Sequence, residues 1–379
     1  MPRTDWAGIL EVERLIQSHF PECVLVGGTA AAIHAHHRAS LDAGSVLAIL
    51  RETFPEVLAT LEGLGGRTTS RLRPPVLILG QLNGVEVGIR QLVRSEPLET
   101  TEIEGIRLPT LAEMLRIKGY LIVARNTLRD HIDFCALADK IGLGFEAAMA
   151  SFDRLYPQPE DSDSTSQQLC RQLAQPGPHD LPDDLDLRGW RDLAPPWQNW
   201  PYVERYCQRL AERLFLLTVT PGSRGERPLM KHRHLDDTAS PDSVWAVEDV
   251  LARGHLQDWR DLATRVLAAP SGQAARSLAQ VLGYHPDAGT VRLWAHLLDS
   301  AGGTDQRPPA QTSRLISLTE AAQEAGLSPA RLRLLAAQGR LLGAHKIGRS
   351  WVVPSPVHIL PSPTGCGPRP NFPLRRGSR

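Results

Sequence analysis

Two apolar spacings alternate along the first 220 residues. Leu10–Phe20 carries apolar residues every three to four positions, the helical period, and Pro21 stops it before the continuous apolar run CVLVGG, which reads as a strand. The diglycine opens a second helix, TAAAIHAHH, and another strand is expected around Ser45–Leu50. RETFPEVLATLEGLG returns to the helical period and ends in glycines. PPVLILGQLNGVEVGIRQL contains two alternating runs joined by Asn83-Gly84, the favoured pair for a tight hairpin turn. Leu111 to Gly142 reads as one long helical stretch, 157–199 as an irregular connection rich in Pro, Asp and Gln, and YVERYCQRLAERLFLL as a further helix.

Beyond residue 220 the pattern changes. Residues 221–241 form a linker that begins PGSRGERP, and 242–300 hold four helical periods, each stopped by Gly or Pro, with no chemistry apparent in them. A second linker, 301–313, is followed by a compact unit at 314–354, and 355–379 is a basic, Pro-rich tail that cannot build a core. The unit has a specific shape. Thr319 is placed to cap a helix EAAQEAG, Gly326 ends it, and Ser328-Pro329 open a second helix, ARLRLLAAQG. LLGAHKIG and SWVVP then make the arms of a hairpin with Gly348-Arg349 at its tip.

Composition changes this picture little. With 42% apolar and 22% charged residues the chain is ordinary for a globular protein, and no apolar run approaches the roughly 20 residues that span a bilayer. The N-terminus lacks the apolar core of a signal peptide. Five cysteines without close pairs or metal-ligand spacing point to reduced thiols and a cytoplasmic setting. Charge matters more. The net value is zero, but residues 314–379 hold ten Lys or Arg against two Glu, about +8, so the remaining chain carries about −8. That end suits an anionic partner.

The candidate chemistry lies in VGGTAAAIHAHHRASLDAG (26–44) and in KGYLIVARNTLRDHIDFCALAD (118–139). A strand that ends in Gly-Gly-Thr at a helix start can cradle phosphate, because the glycines admit a close backbone approach and the helix start offers free N–H groups. A tight turn that binds nothing is the other reading. Asp42 follows Thr29 by thirteen residues, and Asp133 follows Lys118 by fifteen. Together these stretches resemble the nucleotidyltransferase superfamily, and within it the AbiEii/MenT-type toxins of bacterial type IV toxin–antitoxin systems. The resemblance covers about residues 10–220.

It implies an α/β (α+β) nucleotidyltransferase fold with a mixed sheet, nucleoside triphosphate as substrate, Mg²⁺ as cofactor, and an RNA, a tRNA end among the candidates, as acceptor. It further implies Gly27, Gly28, Thr29, Arg38 and Ser40 as nucleotide-binding residues, Arg38 and Ser40 either supporting the loop or binding phosphate. Asp42, Lys118 and Asp133 would be catalytic, Lys118 on the triphosphate and Asp133 orienting that lysine or the acceptor. Hard Mg²⁺ takes carboxylate oxygens. Asp42 would be its first ligand and Glu86 the candidate for the third acid, which the family takes from a nearby strand, although Glu86 equally suits a solvated strand position. His34, His36 and His37 cannot all face one ion from a short helix and are expected on its surface. The departure is Gly44, which stands where the family has the second acid of an Asp-x-Asp pair. A weakened one-metal enzyme, a site rescued by Glu86, and a degenerate nucleotide-binding domain all stay open.

Residues 314–354 resemble the excisionase/MerR-like winged helix-turn-helix DNA-binding family. The resemblance implies double-stranded DNA as partner, with Ser328, Arg331 and Arg333 on the second helix and Lys346 and Arg349 on the wing. Residues 242–353 would then act as a fused restraint and autoregulator. The rival from another class is a transcriptional regulator that senses nucleotide and transfers nothing, and a weaker one is an antibiotic-modifying small-molecule nucleotidyltransferase.

Overall fold

A computed structural model describes residues 6–40, 42–159, 162–183, 185–220, 240–284, 289–302, 315–337, 341, 344–347, 350–355, 357 and 359. Most of both linkers, the wing tip and nearly all of the tail lie outside these residues.

The chain begins with helix α1 (Trp6–His19), strand β1 (Val24–Val26), helix α2 (Gly27–Ala35) and strand β2 (Asp42–Leu47). Helix α3 (Leu50–Glu62) and strands β3 (Arg67–Arg73), β4 (Leu77–Leu82) and β5 (Val85–Gln91) complete a sheet of order β1-β2-β5-β4-β3. β2 starts three residues earlier than its apolar content suggests, which puts Asp42 inside the strand. The sheet is mixed: β2 and β5 are parallel and every other pair antiparallel. Asn83 and Gly84 both take positive φ (50° and 81°) in the β4–β5 turn, the backbone twist that a two-residue hairpin needs.

Period-two alternation gives this sheet two unlike faces. Ala43, Leu47, Ile78, Leu82, Val87 and Ile89 point to one face and pack against Ile9, Val12 and Ile16 of α1 and Leu50, Phe54, Val57 and Leu61 of α3. Asp42, Gly44, Glu86, Gly88 and Arg90 belong to the other face, which stays open as the floor of a cavity.

A second hairpin, β6 (Thr100–Ile103) with β7 (Ile106–Pro109), escapes the sequence reading because its charged alternation TEIEGIR carries few apolar residues. The single helix expected over 111–142 is two, α4 (Leu111–Arg125) and α5 (Leu128–Ile141), because Asn126 turns left-handed (φ 44°). Two short helices follow, α6 (Phe145–Met149) and α7 (Phe152–Leu155). The stretch expected to be irregular holds α8 (Thr165–Ala174), whose Ser164 and Gln167 form a reciprocal capping box and whose Leu169, Cys170 and Leu173 are buried. Its signature S-x-x-Q was visible, but its apolar stripe is narrow.

Helix α9 (Trp200–Val219) is followed, past the undescribed 221–239, by α10 (Val244–Arg253), α11 (Leu256–Ala268), α12 (Gln273–Tyr284) and α13 (Gly289–Ser300). These four share one core with α2, α4, α5, α8 and α9. Phe215 of α9 meets Trp259 and Trp294 edge-to-face at ring-centroid distances of 5.5 and 5.0 Å, and the two tryptophans meet at 5.8 Å. The role open at 242–300 is therefore at least structural: those helices complete the core under α8 and α9.

The last unit has its own small core, with Ile316, Leu332, Leu335 and Val353 among its members. It runs β8 (Leu315–Ser317), α14 (Leu318–Ala325), α15 (Pro329–Ala337), β9 (His345–Ile347) and β10 (Ser350–Pro354), with sheet order β8-β10-β9. Ser317 rather than Thr319 caps α14, in a box with Glu320, because helical geometry begins at Leu318. Among the described residues no helix is long and apolar enough to cross a membrane, and Cys23, Cys135, Cys170 and Cys207 are free and buried.

Candidate functional site

β2 and β5 run side by side in parallel with Asp42 opposite Glu86 and Gly44 opposite Gly88. Register partners on one face hold their Cβ atoms about 5 Å apart, so the two carboxylates stand as neighbours on the floor of a cavity of about 790 Å³. Gly27 and Gly28, at the start of α2, close one side of it. Lys118 and Arg125 of α4, with Arg129 of α5, form the opposite wall. Of the residues named from the sequence, Gly27, Gly28, Asp42, Glu86 and Lys118 thus reach one cavity, and Thr29, Arg38, Ser40 and Asp133 lie buried behind it.

The buried set explains how the floor is held. The Thr29 hydroxyl donates to the main-chain carbonyl of Asp42, and Ser40 Oγ lies 2.8 Å from Thr29 Oγ1. Ser40 donates to Asp42 Oδ1 at 2.9 Å, which leaves the other oxygen of Asp42 uncommitted. Glu86 is exposed and makes no side-chain hydrogen bond to the described residues.

Asp133 is the hub beneath. Its Oδ1 accepts from His37 Nε2 (2.7 Å) and Arg38 Nε (2.7 Å), and its Oδ2 from Arg38 Nη2 (3.0 Å) and Lys118 Nζ (2.7 Å). None of these four side chains is more than 1% exposed. Burial alone would push the Asp133 carboxyl up, but the charges of Lys118 and Arg38 and the bond from His37 hold it well below the usual carboxylate range. Lys118 also reaches Asp130 (3.2 Å), which Arg125 grips with two bonds of 2.6 and 2.8 Å.

Two expectations are corrected by this hub. His37 is not a surface residue: His36 turns left-handed at the end of α2 (φ 52°) and folds His37 inward onto Asp133. Arg38 supports the loop and is not free to bind phosphate, since its guanidinium is buried and committed to Asp133 and to the Ala39 carbonyl. Neither was readable from spacing, because His37 and Arg38 lie 96 and 95 residues before their partner.

Gly28 is required by the same packing. A Cβ there would overlap Arg38 Nη2 and sit 3.1 Å from Ser40 Oγ. Because three hydrogen bonds lock that guanidinium, Gly28→Ala should lower the unfolding free energy by about 1–3 kcal/mol, the cost of overpacking. Urea unfolding measures it. A loss below about 0.5 kcal/mol would mean that Arg38 swings aside freely.

Sequence reasoning missed the cavity's free cations. Arg90 and Arg129 make no hydrogen bond or ion pair among the described residues, yet both face the cavity. Burial depresses the Arg90 pKa, and Arg125 and Arg129 depress it further, while Asp42 opposes them. Cations crowded in this way attract an anion of several charges. The alternation of VEVGIRQ, which places Arg90 on the face of Glu86, was the available signal.

The donor set suits one Mg²⁺. Two hard carboxylates stand side by side with oxygens to spare, and such ions usually take one or two carboxylates plus water and substrate phosphates. Among the described residues no three His, Cys, Asp or Glu side chains cluster to hold a metal by themselves.

In the C-terminal unit, Ser328 Oγ accepts from the Arg331 amide at the start of α15, and Arg331 and Arg333 are both exposed. The Lys346 side chain and all of Arg349 lie outside the described residues.

No family model matches the chain. Among curated proteins it is similar to the mycolic acid-containing lipids exporter MmpL11 of Mycolicibacterium smegmatis, 38% identical over 125 residues, 31% of this chain and 13% of that protein. It is also similar to the heme uptake protein MmpL11 of Mycobacterium tuberculosis, 36% identical over 125 residues, 31% of this chain and 12% of that protein. The chain thus spans about an eighth of the length of these relatives. Among solved structures it is similar to JHP933 of Helicobacter pylori, with 13% identity, a TM-score of 0.34, and coverage of 56% of this chain and 92% of that one. A candidate nucleotidyltransferase of the same organism matches with 15% identity, a TM-score of 0.33, and coverage of 55% and 93%.

Proposed function

We propose that residues 6–220 bind a nucleoside triphosphate in this cavity and transfer its nucleotidyl group to an RNA hydroxyl, with residues 315–354 fused as a DNA-binding autoregulator. The observation that carries the first part is the Asp42–Glu86 pair on the floor, facing a wall of Lys118, Arg125 and Arg129 with Arg90 between. Negative ligands and positive wall meet as a metal-bound triphosphate requires. Mg²⁺, when bound by Asp42 and Glu86, would neutralise phosphate charge.

The chain's own groups divide the rest. Arg90 and Arg129 bind the polyphosphate, and the free N–H groups at the start of α2 offer donors beside it. Lys118, held by Asp130 and Asp133, supplies fixed positive charge with no reorganisation during reaction. The acceptor oxygen forms a bond to the α-phosphorus as the bond from that phosphorus to pyrophosphate breaks. The hydroxyl proton passes to a carboxylate of the floor.

Gly44 supports a second reading, a nucleotide sensor that transfers nothing. The position has room for more, since a Cβ built there meets no atom within 4 Å. Gly44→Asp should therefore fold as the native chain does, with a Tm within about 2 °C.

Purified protein incubated with Mg²⁺, each α-³²P-NTP and total bacterial RNA separates the readings. Labelling by the native chain supports the enzyme, with Glu86 as the compensating carboxylate. Labelling by Gly44→Asp alone identifies a disarmed enzyme and supports the sensor. Labelling by neither, with nucleotide binding intact, also supports the sensor.

For the C-terminal unit the support is its helical hairpin, its flanking strands, the exposed Arg331 and Arg333, and the surplus of basic residues at 314–379. Loss of binding to the protein's own promoter DNA on Arg331→Ala plus Arg333→Ala is the corresponding test. The restraint expected of 242–353 is not part of this proposal, since none of the cavity-lining residues comes from that stretch.

A further inference from the structure

The cavity has two chemically unlike ends. Along β5 the floor passes from Glu86 through Gly88 to Arg90, then continues into Leu92 and Val93. Beyond Arg90 the lining turns apolar and aromatic: Leu98 from the loop, Ile117 and Tyr120 from α4, and Tyr156 after α7. Nothing in the phosphate chemistry above uses these groups.

Their arrangement is specific. The Tyr120 and Tyr156 rings stack with centroids 4.4 Å apart and planes 12° from parallel. Tyr156 is hemmed in further, with Phe152 edge-on at 5.5 Å and the Arg94 guanidinium 5.6 Å over its ring. Arg94 is itself anchored, although its Nη1 meets Glu113 as an ion pair and not in an aligned hydrogen bond. It pairs with Glu113 at 2.7 Å and donates to the carbonyls of Glu96 and Pro97 at 2.9 and 2.7 Å, fixing the 94–97 loop as a wall. Burial pushes the Tyr156 phenol up to about 12, so the ring stays neutral. The surface left to a ligand is therefore the outer face of Tyr120, flanked by Ile117 and Leu98.

We infer that this end takes the nucleobase of the triphosphate, as a third ring on the Tyr120–Tyr156 stack, and holds it by stacking without reading its edge. The inference rests on the nucleotide reading of the cavity and deepens it. A purine or pyrimidine has an apolar face whichever base it is, and stacking is tolerant of identity. The Arg94 charge is paired with Glu113 and two of its nitrogens are bonded to the Glu96 and Pro97 carbonyls, so this cation is spent on the wall and not on a base edge. The four common nucleotides should accordingly bind with similar affinity.

Calorimetric titration of the full chain with ATP, GTP, CTP, UTP and inorganic tripolyphosphate, each with Mg²⁺, tests this. Native protein, Tyr120→Ala, Tyr120→Leu and Tyr120→Phe are compared, with thermal unfolding alongside. Tyr120→Leu keeps the volume and removes the π-face, so it serves where alanine fails to fold. Tyr120→Ala or Tyr120→Leu should weaken all four nucleotides about tenfold or more, as losing one stacking platform does. Both variants should leave tripolyphosphate unchanged, and Tyr120→Phe should bind like the native chain.

Nucleotide affinity within twofold of native in a folded Tyr120→Leu would overturn the inference and leave the triphosphate reading standing. A strong preference of the native chain for one base would also overturn it. Native protein that binds neither nucleotides nor tripolyphosphate would overturn both.

Discussion

Asp133→Asn is expected to lower the unfolding free energy by about 3–5 kcal/mol, the cost of leaving buried charges without their partner. Lys118 and Arg38 would keep their charges around a neutral amide, inside a site where no side chain is more than 1% exposed. Chemical denaturation at neutral pH reads the loss, and a change below 1 kcal/mol would show that the hub contributes little. Asp133→Asn combined with Lys118→Met should lose less than the sum of the two single changes, because the pair is removed together.

The same hub sets an acid limb. Asp133 stays ionised in the folded chain well below the range where an unfolded aspartate, with a pKa near 3.9, takes up its proton. Its contribution is therefore complete above that unfolded pKa and is lost as pH falls toward the folded one. Asp130, whose carboxyl is also depressed against burial by Arg125 and Lys118, acts in the same direction. Stability measured between pH 6 and pH 2 should fall steeply below about pH 4 in the native chain. The fall should be shallower in Asp133→Asn.

Asp42→Asn should reduce RNA labelling on the order of a thousandfold, equivalent to the several kcal/mol that metal charge stabilisation contributes. Its stability should hardly change, since Asp42 is half-exposed and its side chain accepts one hydrogen bond, from Ser40. Glu86→Gln should lose as much, because Gly44 brings no carboxylate to the floor and none of the other cavity-lining residues is an acid. Equal labelling by native protein and Glu86→Gln would refute the paired-carboxylate site. In a chain that senses without transferring, both substitutions would instead weaken Mg²⁺-dependent nucleotide binding.

Much of the scaffold was present in the sequence as local signals. The Pro21 stop, the Asn83-Gly84 turn and the helical periods of α9 to α13 follow from backbone chemistry that each residue carries wherever it sits. The chemistry of the floor was legible for a similar reason. Gly27, Gly28 and Asp42 lie within sixteen residues of each other, and strand alternation puts Glu86 on a definite face.

Tertiary structure alone decided the rest. That Asp42 stands beside Glu86 depends on a parallel register between strands 44 residues apart, which no local spacing encodes. His37 and Arg38 became the supports of Asp133 because a left-handed turn at His36 aims them into a core that α5 closes. Arg90 and Tyr120 read locally as a strand arginine and a helix tyrosine. They come to line one cavity only once folding brings β5 and α4 to it. Packing decides such placements, since desolvation and charge pairing act between residues distant in the chain and are absent until the chain has folded.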